Sequence, residues 1–383
     1  MSPQSFVMAG GGTGGHVLPA LAVARELRAR GHRVLFVGVR RGIEARLVPA
    51  ENFPIEWIEI SGLNRVGFRQ TLATLAELPF SIWQASRILD RAAPAAVFSM
   101  GGYVAGPVLL AALGKRIPMV VMEPNAIPGF THRHLARFVA RALVSFPETA
   151  RWFPDGRTLV TGLPIRREFF DLPSKPLGDE ITVLITGGSQ GSRTLNRAAE
   201  ESWPLWPQAG KSRVRLIHQT GSPMYQELAG RFRDSGMSGE IAEFIADMPA
   251  AFAQADIVVS RSGMGAVSEL AAAGKPSILV PFPAASDQHQ LKNAQAMQQA
   301  GAAVLVQDHE LTGARLVEEV MRLAGDPGLM QTMSSAARAF AKPDAARNAA
   351  DILEALAQPA AAGVNIAPTS IAPKNIDPKN INH

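Results

Sequence analysis

Short, nearly uninterrupted apolar runs recur along the chain, each closed by glycine or a small polar residue, which marks strands buried on both faces of a parallel sheet. The first is Phe6-Val7-Met8-Ala9, followed by Gly10-Gly11-Gly12-Thr13-Gly14-Gly15-His16 and a helical pattern from Val17 to Leu27. Arg33 to Gly38, Ile55 to Ile60, Ala95 to Met100, Pro118 to Met122, Ala142 to Ser145 and Thr158 to Val160 continue the series. Asp171 to Asp179, rich in Pro, Gly and charge, has the composition of a linker. The series then restarts at Ile181 to Thr186, again with a glycine turn, Gly187-Gly188-Ser189-Gln190-Gly191-Ser192, and runs on through Arg213 to Gln219, Glu240 to Phe244, Ile257 to Val259 and Ser277 to Val280.

The second half thus copies the architecture of the first without its sequence. The pattern predicts an α/β chain of two doubly wound, Rossmann-like domains facing one another across a cleft. Residues 1–170 form the first, 171–180 the linker and 181–357 the second, with the last helix packing back on the core. The segment 358–383, rich in Ala, Pro and Asn, reads as a disordered tail.

With 383 residues, 47% of them hydrophobic, two cores can be buried. The chain has no cysteine, which excludes disulfides and thiolate chemistry. No apolar stretch approaches the roughly 18 residues of a membrane span. The net charge of +5 is uneven: residues 1–160 hold 18 Lys and Arg against 10 Asp and Glu. A basic first half suits nucleic acid, an anionic membrane or a phosphorylated substrate. Aromatic residues at 6% argue against base-stacking platforms and so against nucleic acid. Leu72, Leu75, Leu78, Phe80, Ile82 and Trp83, set among Arg65, Arg69, Arg87 and Arg91, form an amphipathic stretch that suits either a core helix or a face lying on anionic lipid.

A strand that turns through glycines into a helix offers backbone N–H groups and a positive dipole end to an anion. Here that turn carries His16. Gly10, Gly12 and Gly15 also satisfy the dinucleotide register, yet Val39-Arg40-Arg41 stand where an NAD enzyme needs an acid, leaving an NADP reductase as the alternative. A second glycine turn, Gly101-Gly102-Tyr103, and the strand end Glu123-Pro124-Asn125 fall at the same sheet edge as His16. In the second half, Ser260-Arg261-Ser262-Gly263-Met264-Gly265 leads into a helix carrying Glu269, an arrangement suited to a diphosphate and to sugar hydroxyls. Asp287 to Asn293 supplies many amide donors and acceptors for a hydroxyl-rich ligand.

Taken together, residues 5–357 resemble the MurG family of peptidoglycan glycosyltransferases, which add N-acetylglucosamine to a lipid-linked muramyl-peptide. The motifs that carry the resemblance are Gly11 to His16, Ser99 to Tyr103, Glu123-Pro124-Asn125, Gly187 to Gly191, Arg261-Ser262-Gly263 through Ser268-Glu269, and Gln290 with Asn293. The resemblance implies the GT-B fold and transfer from UDP-N-acetylglucosamine to undecaprenyl-pyrophosphoryl-N-acetylmuramyl-pentapeptide, lipid I to lipid II, in cell-wall synthesis and hence in cell shape and division. By motif, Phe244 and Ile245 would meet the uracil and Glu269 the ribose. Ser189, Arg261 and Met264 would meet the diphosphate or nearby sugar, Gln290 and Asn125 the N-acetylglucosamine, and Arg166 matches the family's arginine. Thr13, Gly14, Gly15, Gly102 and Tyr103 would hold the acceptor pyrophosphate, the first three also lying close to the donor.

On this reading His16 is the first choice for general base and Glu123 the second, as base or as support. No Asp-x-Asp pair occurs, so no metal site and no required cofactor are expected, with Mg²⁺ assistance open. The family further implies peripheral attachment to the cytoplasmic face of a bacterial inner membrane, with other cell-wall proteins as possible partners.

Overall fold

The computed structural model describes residues 2–12, 14–60, 68–125, 127–173, 175–176, 178–208, 213–285 and 288–358, with side chains from 68 to 76 excepted. Thr13, Arg65, Asp287 and the expected tail beyond Gln358 lie outside the described residues.

The first lobe comprises β1 (Ser5–Gly10), α1 (Gly14–Ala29), β2 (Arg33–Gly38), α2 (Glu44–Ala50), β3 (Ile55–Trp57) and α3 (Phe68–Ala92). It continues through β4 (Ala96–Gly101), α4 (Ala105–Gly114), β5 (Met119–Glu123), α5 (Phe130–Leu135), β6 (Arg141–Val144) and β7 (Thr158–Val160). The second lobe holds β8 (Glu180–Thr186), α6 (Arg193–Ser202), β9 (Arg213–Gln219), α7 (Ser222–Asp234), β10 (Ser238–Ala242), α8 (Met248–Gln254) and β11 (Ile257–Ser260). It ends with α9 (Met264–Ala273), β12 (Ser277–Leu279), α10 (His289–Gln299), β13 (Ala303–Leu305), α11 (Gly313–Ala324), α12 (Pro327–Phe340) and α13 (Ala345–Ala357).

All pairings are parallel, in the orders β3-β2-β1-β4-β5-β6-β7 and β10-β9-β8-β11-β12-β13. Strand order therefore reverses between β1 and β4 in one sheet and between β8 and β11 in the other. A crevice opens at the carboxyl ends of the strands at such switch points. In the first sheet the register is Phe6 to Ala96 and Ala9 to Ser99, then slips so that Gly10 meets Gly101, bringing the two glycine turns together.

Alternate side chains of these strands feed the two faces of the sheet, as a strand buried on both sides requires. Phe6, Met8, Phe36, Phe98 and Met100 fill one face and Val7, Val97 and Val121 the other, all essentially without exposure. Burial of each large side chain stabilises by about 1.5–3 kcal/mol. Between the lobes, Phe169 is fully buried and meets Phe252 edge-on, with ring centroids 5.1 Å apart.

Two differences from the pattern-based reading are plain. The third strand stops at Trp57 rather than Ile60, and β13, three residues long, had no counterpart in that reading. So short a strand has no periodicity of its own and is held by pairing with β12.

The last helix returns to the first lobe. α13 lies on α1, where Arg30 bonds Asp351 at 2.6 Å and Glu354 at 2.7 Å. The Gln4 N–H donates to His32 Nδ1, so the proton sits on Nε2, which donates to Glu354 Oε1 at 2.7 Å. Replacing Glu354 leaves the buried His32 Nε2–H without its acceptor and takes one of several acceptors from Arg30. Glu354→Ala is accordingly expected to lower unfolding free energy by about 1–3 kcal/mol in a denaturant titration, with loss confined to the midpoint and the slope unchanged.

Candidate active site in the cleft between the lobes

α1 begins at Gly14, which places His16 in the first turn above the β1 carboxyl end. Its Nδ1 lies 3.2 Å from the Gly11 carbonyl oxygen. A carbonyl only accepts, so Nδ1 carries the proton and the lone pair resides on Nε2, the tautomer a base needs. Desolvation lowers the His16 pKa below its usual 6.5, and His132 pushes the same way, against the raising effects of Gly11, Glu123 and Glu44. The imidazole is therefore uncharged near neutral pH.

The floor beneath this pair is built from glycine. Gly102 has φ +80°, and a Cβ there would stand 2.7 Å from Gly11 O and 3.3 Å from His16 Nδ1. Gly12 has φ +92°, and its missing Cβ makes room for the Tyr103 ring, whose Cε1 would be 2.7 Å away. Only residues without a side chain fit both demands. Burial and the neighbouring Glu44 raise the Tyr103 pKa, so the phenol stays protonated and can donate.

Two acidic residues hold the loops. Glu123 is buried, and both its oxygens are engaged: Oε1 accepts from the Asn125 N–H at 3.1 Å and the Asn125 amide at 3.4 Å, and Oε2 accepts from the Gly129 N–H at 3.0 Å. His132 Nδ1 lies 3.2 Å from Oε2, and His132 Nε2 lies 3.1 Å from Ser99 Oγ, which accepts from the Gly101 N–H. Both Glu123 oxygens thus brace the loop from Asn125 to Gly129 and face the His132 ring. Asn125, expected at the sugar, leans on the same carboxylate.

Glu44 was missed by sequence reasoning. It has no exposure, and its oxygens accept from the Gly12 N–H at 3.0 Å and the Val39 N–H at 3.1 Å. His132 was missed likewise. Each works on a partner about thirty residues away, and the one signal available was a lone acid following the Arg40-Arg41 turn.

In the second lobe Gln219 gathers the loops. Its Oε1 accepts from the Ile245 N–H at 2.8 Å, and its amide donates to Thr186 Oγ1 and Gly188 O, fixing Ile245 relative to the turn that carries Ser189. α9 follows Gly263 without a side-chain cap, whereas α6, α8, α11 and α12 are capped by Ser192, Asp247, Thr312 and Asp326. An uncapped start leaves N–H donors and dipole for an anion. Ser262 Oγ donates to Gln290 O and the Asn293 amide donates to Ser262 O, so α10 is tied to the start of α9.

Arg261 Nη1 donates to Asp308 and to the carbonyls of Val280 and Pro281, which braces the β12 exit. The Met264 side chain lines an apolar cavity of about 360 Å³, with Phe146, Val160, Phe170 and Phe340 among its walls. Gln290 Oε1 accepts from the Phe282 N–H, which orients its amide.

Arg166 joins the halves. Its guanidinium lies over the Phe169 ring at 5.0 Å, its Nε is buried with no hydrogen bond, and its charge acts on both Glu51 and Glu269. Desolvation at the cleft floor pushes the Glu269 carboxyl up to about 7 against the pull of Arg166.

Comparison with known proteins places this architecture. Residues 6–144 match the glycosyltransferase family 28 N-terminal domain and residues 182–349 its C-terminal domain, so the chain is a two-lobed glycosyltransferase of the GT-B fold. Within that class it belongs to the MurG family, the UDP-N-acetylglucosamine–N-acetylmuramyl-(pentapeptide) pyrophosphoryl-undecaprenol N-acetylglucosamine transferases. It is 61% identical over 355 residues to the enzyme of Solibacter usitatus, covering 93% of this chain and 97% of that one. It is 40% identical to that of Myxococcus xanthus, covering 91% and 92%. The crystal structure of Acinetobacter baumannii MurG superposes with a TM-score of 0.71 at 32% identity, covering 92% of this chain and all of that one. The reductase left open by pattern is thereby set aside.

The glycine floor gives a direct test. Gly102→Ala is expected to lower transferase turnover by about 100-fold through displacement of His16, while thermal unfolding shifts by only a few degrees, about the cost of one strained residue.

Proposed function

We propose that the chain transfers N-acetylglucosamine from UDP-N-acetylglucosamine to the C4 hydroxyl of the undecaprenyl-pyrophosphoryl muramyl-pentapeptide, converting lipid I to lipid II. The observation that carries the mechanism is the His16 tautomer, locked by Gly11 at the switch point of the first sheet. The acceptor oxygen attacks the anomeric carbon as its proton passes to His16 Nε2, and the bond to the diphosphate breaks with its electron pair leaving on UDP. The configuration inverts. Glu123 acts through His132, Ser99 and the Gly101-Gly102 turn to hold that base in place.

The second lobe holds the donor, with Ile245 and Phe244 at the uracil, Glu269 at the ribose hydroxyls, and Ser189 and Gln290 at the diphosphate and sugar. The positive field for the leaving group draws on the α9 N-terminus and Arg166. Gly14, Gly15 and the α1 N-terminus take the acceptor pyrophosphate beside Tyr103. The lobes divide at 171–180, the first serving the acceptor and the second the donor. No resident cofactor is called for. Among the described residues no cluster of three or more His, Asp or Glu is placed to hold a metal ion.

The acceptor's lipid requires access to a membrane surface. Among the described residues no helix is long and apolar enough to cross one. On α3, however, Phe80 and Trp83 stack with centroids 5.7 Å apart and are about half exposed, with Arg87 over the Trp83 ring. That face supports peripheral attachment to anionic lipid at the cytoplasmic face of the inner membrane.

Two tests follow from the pKa shifts. His16→Ala should cut kcat by about 10²–10⁴-fold with donor affinity retained. In the unmodified chain kcat should fall as acid protonates His16, with its acid limb below pH 6.5. An unchanged single-turnover rate in the variant would remove His16 as the base. Separately, Glu269 accepts ribose hydroxyls best as a carboxylate, and the donor's diphosphodiester does not titrate near neutrality. UDP-N-acetylglucosamine affinity should therefore weaken below about pH 7, approaching tenfold per unit, and calorimetry in buffers of different ionisation enthalpy should detect proton release on binding. Glu269→Gln should abolish both effects.

A further inference from the structure

Phe244 is one of the few large apolar side chains left in the open, 40% exposed at the rim of the second lobe, immediately before Ile245. Its face is met by a residue of the other lobe. The Arg46 guanidinium carbon lies 4.8 Å from the Phe244 ring centroid, within the range of an attractive cation–π contact. Next to Phe244 in sequence, Glu243 accepts from Ser222 Oγ and Asp247 caps α8.

Arg46 also starts from a fixed base. It sits on α2, whose Glu44 is anchored to Gly12 and Val39 and whose Val48 is fully buried. Ile245, on the other side of the contact, is anchored by Gln219. Arg46 thus connects a rigid point next to the catalytic glycine loop to a rigid point next to the nucleobase pocket.

We propose that Arg46 is a positioning residue for the nucleotide, holding the Phe244 ring against the first lobe so that the uracil end of the cleft is closed when donor binds. The proposal rests on the donor reading given above, which places Phe244 and Ile245 at the uracil. It gives α2 a second duty: one face fixes the loop that carries His16, and the other grips the donor pocket. The effect belongs to the binding of UDP-N-acetylglucosamine and not to the chemical step, because the contact of Arg46 is with the Phe244 ring at the nucleobase end.

The test is a double-mutant cycle in the full chain, with the dissociation constant of UDP-N-acetylglucosamine measured by calorimetry and kcat at saturating donor measured alongside. Arg46→Ala should weaken donor binding about two- to fivefold and change kcat less than about twofold, with Arg46→Lys retaining part of the affinity. In a Phe244→Leu background, Arg46→Ala should add no further loss. Equal losses in both backgrounds, no loss in Arg46→Ala, or a loss confined to kcat would each overturn the proposal. Should Phe244→Leu fail to fold, the comparison of Arg46→Ala with Arg46→Lys decides by itself: equal affinities for those two variants reject a cationic contact. Failure of the unmodified chain to bind UDP-N-acetylglucosamine would instead reject the donor reading, a distinct result.

Discussion

The hydrogen bond from His16 Nδ1 to the Gly11 carbonyl is the constraint around which the first lobe is arranged. It fixes the tautomer, and with it which nitrogen can take a proton. The bond persists only if Gly11 stays put, and Gly11 belongs to a loop with no side chains of its own to anchor it. The anchors come from elsewhere: Glu44 grips the next N–H from below, and Gly102 closes from the side, where a methyl group would collide with the carbonyl. Gly102 in turn follows Gly101, held by Ser99, His132 and Glu123. A flexible loop is thus over-determined by buried acceptors, the usual condition for a strained, positive-φ turn to survive at a functional site.

The second lobe solves the complementary problem. Where the first has buried carboxylates beneath its loops, the second uses a neutral amide, Gln219, to tie its loops together. The difference suits the ligands. A neutral brace adds no negative charge beside a diphosphate, and Arg261 is held in place by its pairing with Asp308. Glu269 is the exception, a carboxylate whose desolvation is tolerable when hydroxyl donors reach it.

Most of the fold was legible in the sequence, because strands buried on both faces must be continuous apolar runs and each ends in a glycine turn. Those two signals give the strands, the switch points and the duplication. The edges were less clear: β13 is too short for a period, and β3 ends before its apolar run does. At the site, His16, Gly102, Glu269 and Gln290 were visible as motif residues, but their supports were not. Glu44 lies 32 residues from Gly12, His132 lies 33 from Ser99, and Gln219 lies 26 from Ile245. Arg261 was likewise visible as a motif residue, but its partner Asp308, 47 positions on, was not. Local pattern reports which residues have the chemistry; long-range pairing decides which of them is available to use it.

In the proposed mechanism base and leaving-group stabilisers reside on different lobes, so neither lobe alone sets the reacting distance. Turnover then depends on what spans the cleft. Among the described residues, links that do so include α13 clamped to α1 through Arg30 and His32, Phe169 wedged against Phe252 with Arg166 above it, and Arg46 on Phe244. The first two include the buried His32, Phe169 and Phe252 and resist separation. The third is exposed, lies at the open end and is worth far less, about 0.5–1 kcal/mol for a solvated cation–π pair. Strong links together with a weak one at the rim are what a cleft must have if it is to admit a nucleotide sugar, close over it and open again to release UDP within one turnover.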